Sequence, residues 1–332
     1  MTRAIVARAP TRLDFGGGWT DVPPYTDREG GAVCSLAITR YATATAALDE
    51  HAARRAGAAM LSDDSLTAAA LRRSGIAGAV AHVAGDFPAG AGLGGSSACG
   101  VALAGALAML RKAPLAPNEL AALSRATEVE DLGVVGGFQD HYAAAYGGPL
   151  LLGFAECASV ESLALPGTSA GDLVRRSVLL FTGESRLSGS TVAAVRDAYL
   201  AGEPRTVAAL ARIKALAGEM AAALRAGDVD ALGQLVGEHW VHQKALHPTI
   251  TTPRIDAIAE RAERAGAVGL KALGASGGGC VLAIAEDGRE AELAASLAPL
   301  GERLDFDIDW DGFQVIAVLD EQHGDDARDD AR

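Results

Sequence analysis

Basic residues are in short supply in this 332-residue chain: 29 Lys and Arg stand against 42 Asp and Glu, a formal net charge of −13 at pH 7. So acidic a balance argues against a nucleic-acid partner, whose phosphates reward clustered cations. Cysteine is sparse too. Cys34, Cys99, Cys157 and Cys280 are scattered without C-x-x-C spacing, so no zinc site is expected, and free thiols in a reducing cytoplasm are the simplest account. Hydrophobic residues make up 49% of the chain, yet no apolar run reaches the length of a membrane span. The opening M-T-R-A-I-V-A-R-A-P is interrupted by Arg8 too soon for a secretion signal. A cytoplasmic protein with neither membrane nor nucleic acid as partner is expected, with its number of subunits left open. The histidines His82, His141, His239, His242 and His247 show no metal-ligand spacing, and no internal repeat is present.

Glycine, by contrast, is abundant and concentrated. The stretch P-A-G-A-G-L-G-G-S-S-A-C-G, from Pro88 to Gly100, follows an apolar strand-like run, Gly78 to Val83, and precedes the helix-forming Val101 to Leu110. A glycine-rich turn between strand and helix lets backbone N–H groups approach an anion without Cβ interference. The helix N-terminus behind it adds donors and a favourable dipole, so phosphate is the natural guest. Ser96 and Ser97 fall at the helix start, where hydroxyls also cap. A Walker loop is excluded because no lysine follows Gly95 until Lys112. Gly90, Gly92 and Gly95 fit G-x-G-x-x-G, but residues 108–116 hold no acid where a dinucleotide site wants one. An NAD-dependent oxidoreductase is therefore a distant reading.

Three stretches together resemble the GHMP kinases (galactokinase, homoserine kinase, mevalonate kinase and phosphomevalonate kinase). Residues 88–98 resemble the family's P-x-G-x-G-L-G-S-S-A phosphate loop, with Gly95 where its first serine stands. The resemblance implies that Gly90, Ala91, Gly92, Leu93, Gly94, Gly95, Ser96 and Ser97 wrap the phosphates of ATP. It also implies that Ser96, with Ser97 as the near alternative, helps hold Mg²⁺. A-P-T-R-L-D-F-G-G-G-W-T-D, residues 9–21, lies without a gap over the first signature, which puts Arg12 and Asp21 on the family's arginine and sugar-binding aspartate. A carboxylate suits that second task because it can accept two sugar hydroxyls. Gly18-Trp19 replaces the Glu-His of galactokinases, and Gly18, Thr20 and Asp21 are the acceptor candidates here. L-G-A-S-G-G-G-C, residues 273–280, resembles the third signature, with Ser276 for a glycine and Gly277 as the substrate candidate.

The segment G-G-F-Q-D-H-Y-A-A-A-Y-G-G, residues 136–148, resembles the G-x-Q-D-x-Y-A-A-A-Y-G-G of bacterial heptose 7-phosphate kinases, which makes Asp140 the catalytic aspartate. A carboxylate there accepts a hydroxyl proton as the oxygen attacks phosphorus, and Arg12 stabilises the developing charge. Glu128 precedes Asp140 by twelve positions, the separation at which galactokinases carry a magnesium-binding glutamate. With Ser96 it would supply the one or two protein oxygens that Mg²⁺ usually takes. Glu130 is read as a solvated charge.

The resemblance implies an α+β, two-domain GHMP kinase fold, with a ribosomal-S5-domain-2-like N-terminal domain and a ferredoxin-like C-terminal domain. We place them at 1–170 and 171–319, with a charged, disordered tail over 320–332. It implies an ATP- and Mg²⁺-dependent phosphotransferase acting on an alcohol, the anomeric hydroxyl of a sugar. G-G-G-W-T-D-V-P-P-Y lies between the G-G-G-T-D-L-P-x-Y of heptose 7-phosphate kinases and the G-G-W-T-D-T-P-P of L-fucokinases. A heptose 7-phosphate is the first expected acceptor and a free sugar such as L-fucose the second. T-G-E-S-R-L-S and H-W-V-H-Q-K-A-L resemble stretches of the same branches, so Arg186 or Lys244 is expected to receive a sugar phosphate. A catalytically silent sugar or nucleotide sensor is the alternative of another class. Retention of Asp140, Arg12, Ser96 and Glu128 together argues against it.

Overall fold

A computed structural model describes residues 3–48, 65–184 and 189–320. Two long strands form its spine. β1 (Arg3–Gly16) and β2 (Gly31–Leu48) are antiparallel partners over almost their whole length. The first residues of β1 alternate in burial, but from Ala9 to Gly16 it is buried on both faces. The change marks where the sheet passes from one covered face to two: Ile5, Ala7 and Ala9 face one core, and Leu13 and Phe15 another. The first sheet runs β10-β1-β2-β4-β5, with β4 (Pro149–Phe154) paired to the first part of β2 and β3 (Ala79–Gly85) to its last part. β5 is Ala158–Ser162, and β10 is Gln314–Asp320.

Helices α1 (Tyr25–Glu29) and α2 (Leu66–Ser74) precede the central helix, α3 (Gly95–Leu110). α3 is apolar nearly all round and buried accordingly, as a helix covered on every side must be. α4 (Pro117–Ala126) and α5 (Gln139–Tyr146) pack beside it to close the first core. After α6 (Ser169–Arg176) comes the second sheet, in the order β7-β8-β6-β9, with β6 Ser177–Phe181, β7 Ala267–Ala272, β8 Cys280–Ala285 and β9 Glu302–Arg303. Its helices are α7 (Gly189–Leu200), α8 (Pro204–Ala226), α9 (Val229–Leu246), α10 (Pro253–Arg264) and α11 (Glu290–Leu297).

The second core is shared. Leu13, Phe15, Leu36 and Ile38 of the first sheet pack with Leu216 and Met220 of α8, with Leu273 just after β7 and with Leu282 of β8. A division of the chain at residue 170 therefore needs correcting at its far end. Residues 314–320 return to pair antiparallel with β1 and form that edge of the first sheet. The tail expected from Asp320 lies, beyond that residue, outside the described residues, as does Arg186. No helix among the described residues is long and apolar enough to cross a membrane.

Candidate active site

The phosphate loop owes its shape to where its carbonyls go. Ala91 O accepts from Cys280 N at 2.7 Å, Leu93 O from Arg12 N at 3.0 Å, and Gly92 O from the Arg12 guanidinium at 2.6 Å. Each carbonyl shares a planar trans peptide with the next residue's N–H, which points the opposite way. The N–H groups of Gly92, Leu93 and Gly94 are thus turned away from β1 and β8. Ala91 and Leu93 bury their side chains as anchors. Gly94, at φ 73°, is the N-cap of α3 and offers no side-chain cap, so the first helical donors are left free. The serines that follow do not cap the helix. The Ser96 hydroxyl donates to Glu128 Oε1, and that of Ser97 to Glu128 Oε2 at 3.4 Å.

Glu128 is buried on a single π-helical turn, Thr127–Asp131, at the end of α4. Such turns shift one residue out of helical register and often present a functional side chain. Burial acts to raise the Glu128 pKa, but the His141 hydrogen bond and charge, with the Ser96 and Ser97 hydroxyls, more than offset it and hold the carboxyl below its usual range. His141 Nε2 lies 3.1 Å from Glu128 Oε2, and its Nδ1 lies 2.9 Å from Ser124 Oγ. The ring is thus held between the Glu128 carboxylate and the Ser124 hydroxyl. The turn itself is clamped by Arg73, which donates to Glu130 at 2.8 Å and to Asp131. Glu130 therefore belongs to this clamp.

Across the loop, Arg12 holds Asp140 through Nε at 2.7 Å and through its terminal nitrogen at 2.6 Å, both to Oδ1. A Cβ on Gly94 would stand 3.0 Å from Asp140 Cγ, so the helix cap and this carboxylate are in contact. Arg12, Asp140, Asp21, Gly18, Gly90, Gly92, Gly94 and Ser276 line one cleft of about 230 Å³ between the two sheets. The 273–280 turn forms its far wall. Gly92 and Gly274 approach backbone to backbone, with no room for a side chain at Gly92, where a Cβ would meet Leu273 O at 2.7 Å.

Asp21 is buried, and its Oδ2 accepts from the N–H groups of Phe138 (2.8 Å) and Gln139 (2.9 Å), at the start of α5. Its Oδ1 has no partner. Burial pushes its pKa up to about 6, with the Asp140 and Asp14 charges adding and the two N–H groups opposing. Not every expected residue faces the cleft. Thr20 is fully buried, with its hydroxyl bonded to Gly17 O and Ala32, where it braces the turn. Gly277 gives its N–H to Ile250 O at 2.8 Å, while its neighbours Ser276 and Gly278 line the cleft. Lys244 is exposed on α9, its ammonium 5.7 Å from the Trp240 ring and away from the cleft lining.

Two functional candidates lay beyond sequence reasoning. Asp14, on the same strand as Arg12, lines the cleft and pairs with the fully buried Lys271 of β7: Nζ stands 3.1 Å from Oδ2 and 2.8 Å from the Asp14 carbonyl. Burial acts to raise the Asp14 pKa, and the positive groups around it, Lys271 foremost, hold it below the usual range. His239 lies nearby with both ring nitrogens buried and unpartnered, and burial holds its pKa well below the ordinary value. Only the odd lysine in an otherwise apolar strand, G-L-K-A-L, could have drawn attention to Lys271.

Comparison with known families agrees with this fold. The GHMP kinases N terminal domain matches residues 62–148 and GHMP kinases C terminal matches 220–298, together half of the chain. The chain belongs to the GHMP kinases. It is 32% identical over 218 residues to a D-glycero-alpha-D-manno-heptose 7-phosphate kinase of Campylobacter jejuni, a match covering 65% of this chain and 64% of that one. It is 28% identical to the L-fucokinase/L-fucose-1-P guanylyltransferase of Bacteroides fragilis, over 86% of this chain and 35% of that protein. The chain thus spans less than two thirds of either relative. Among solved structures, a D-glycero-D-manno-heptose 1-phosphate kinase from Bacteroides thetaiotaomicron superposes with a TM-score of 0.74 at 26% identity, covering 97% of this chain and 100% of that one.

Proposed function

We propose that the protein is an ATP- and Mg²⁺-dependent sugar kinase that phosphorylates the anomeric hydroxyl of its acceptor. The observation that carries this reading is the Arg12–Asp140 pair set against the uncapped N-terminus of α3 in one cleft. The turned-out N–H groups of residues 92–94 and the helix dipole receive the phosphates. Asp140 accepts the proton of the acceptor hydroxyl as its oxygen attacks the γ-phosphorus. The new P–O bond forms while the bond to the β-phosphate oxygen breaks, and ADP leaves with that electron pair. Arg12 fixes the direction of Asp140 and offsets negative charge as it builds.

The oxygen donors Ser96 and Glu128 suit Mg²⁺, a hard ion that takes one or two protein oxygens and completes its shell with phosphate and water. Among the described residues no group of three or more His, Cys, Asp or Glu stands together as a metal site. Bound there, the ion would neutralise phosphate charge. The relatives' names frame two acceptors, a heptose 7-phosphate and a free sugar such as L-fucose. Motifs shared with the heptose 7-phosphate kinases support the first, and the G-G-W-T-D wording supports the second. An ADP-release assay with Mg-ATP over heptose 7-phosphate, mannose 6-phosphate, L-fucose, galactose and arabinose tests the proposal. Turnover of one sugar class is expected. ATP binding with no turnover of any acceptor would replace the kinase with a sensor.

A further inference from the structure

The acceptor end of the cleft holds a cluster of unsatisfied polar atoms that phosphate binding does not explain. Asp14 Oδ1, Asp21 Oδ1, Gln139 Oε1 and Trp19 Nε1 are all buried, and none has a hydrogen-bond partner. All four residues line the cleft. Asp14 is 2% exposed and Asp21 1%, and a buried acceptor without a donor is costly. Gly18 sits between them. A Cβ there would meet Asp14 Oδ2 at 2.4 Å and Gln139 Nε2 at 2.8 Å.

We infer that Asp14, held by Lys271, is a second hydroxyl-binding carboxylate beside Asp21, and that this end of the cleft takes an unphosphorylated, polyhydroxylated sugar. The inference rests on the kinase reading above and narrows it. Three of the four orphan atoms are acceptors, so they call for a ligand rich in O–H donors. A phosphate group calls for the reverse. The described lining residues include three carboxylates, Asp14, Asp21 and Asp140, and one cation, Arg12, whose guanidinium is already engaged by Asp140 and Gly92 O. Lys271 spends its hydrogen bonds on Asp14. A sugar dianion would meet carboxylates there, with no free positive partner among the described lining residues. Lys271 is a positioning residue: by fixing Oδ2 it leaves Oδ1 as the atom that reads the ligand.

The test is acceptor kinetics on the full chain, comparing L-fucose, galactose, arabinose and D-glycero-D-manno-heptose with heptose 7-phosphate and mannose 6-phosphate. The wild type should favour the unphosphorylated class in kcat/KM by about 10-fold or more. Asp14→Asn should raise acceptor KM by ~10- to 100-fold, the scale of one hydrogen bond to a charged group, with ATP KM nearly unmoved. Because that variant leaves Lys271 unpaired, Asp14→Asn/Lys271→Met is made alongside it and should show the same KM split. Preference for the phosphorylated sugars, or an unchanged acceptor KM in the folded double variant, overturns the inference and leaves the kinase intact. No turnover of any acceptor overturns the kinase reading, and this inference with it.

Discussion

Asp140 and Arg12 share two short contacts, so removing the charge from one changes the task of both. Asp140→Asn should lower kcat by ~10²-fold or more, the usual scale of general-base loss, while ATP still binds. Near-normal turnover would remove Asp140 from proton transfer. Glu128→Gln should raise the Mg²⁺ concentration needed for half-maximal rate, and an unchanged requirement would make Glu128 a structural partner of Ser96. Asp21 gives a pH signature. With a folded pKa of about 6, it loses its acceptor character as pH falls below that value, so acceptor KM should rise below about pH 6, and Asp21→Asn should flatten that limb. The sign for stability is opposite to that of an ordinary carboxylate. Between about pH 4 and 6 the folded state holds the proton that the unfolded chain has released, so this group favours folding at low pH, and its contribution fades as pH rises through 6. At this scale the pairing of Arg12 with Asp140 and of Ser96 with Glu128 was legible because these residues sit in local signatures. Asp14 was not, since its partner Lys271 is 257 positions away.

Elements were legible in proportion to their length and punctuation. The apolar runs at 149–154 and 280–285 read as strands and residues 253–264 as a helix, and all three form, each opened by glycine or proline. The breaks near Gly202 and Gly227 also separate real helices. β1 runs on from the expected strand at Arg8 to Gly16, through Pro10, because pairing with β2 overrides the local turn signals. The apolar run at 174–182 reads as one strand, but residues 174–176 end helix α6, and β5, α6 and α11 are not legible because five to eight residues carry too little periodicity. α3 starts six residues earlier than its apolar run, at Gly95, since its first turn is held by Glu128 and not by helix propensity. That start is testable. Gly94→Ala forces a side chain into a left-handed position, at a cost of about 1–2 kcal/mol, and sets a methyl 3.0 Å from Asp140 Cγ. Turnover should fall at least ~10-fold, far more than the modest fall in thermal midpoint; equal turnover would mean that the cap does not position Asp140.

The whole molecule is held as one body by contacts that skip along the chain. β10 closes the first sheet from the far end of the sequence, and the second core packs Leu13 and Phe15 against residues of the second sheet. The Asp14–Lys271 pair crosses that same junction, joining β1 to β7 with neither charge exposed to water. Behind β7, α9 passes close, since a Cβ on Gly269 would meet Gly233 O at 1.8 Å. Breaking a buried pair from one side leaves an unmatched charge, which costs about 3–5 kcal/mol, whereas replacing both partners with neutral groups is often close to neutral. Lys271→Met should therefore lower the denaturant midpoint markedly, and Asp14→Asn/Lys271→Met should recover most of the loss. If Lys271→Met were as stable as the wild type, the pair would contribute nothing to joining the sheets. If the double variant were as unstable as the single one, the loss would come from packing around the Lys271 stem and not from charge.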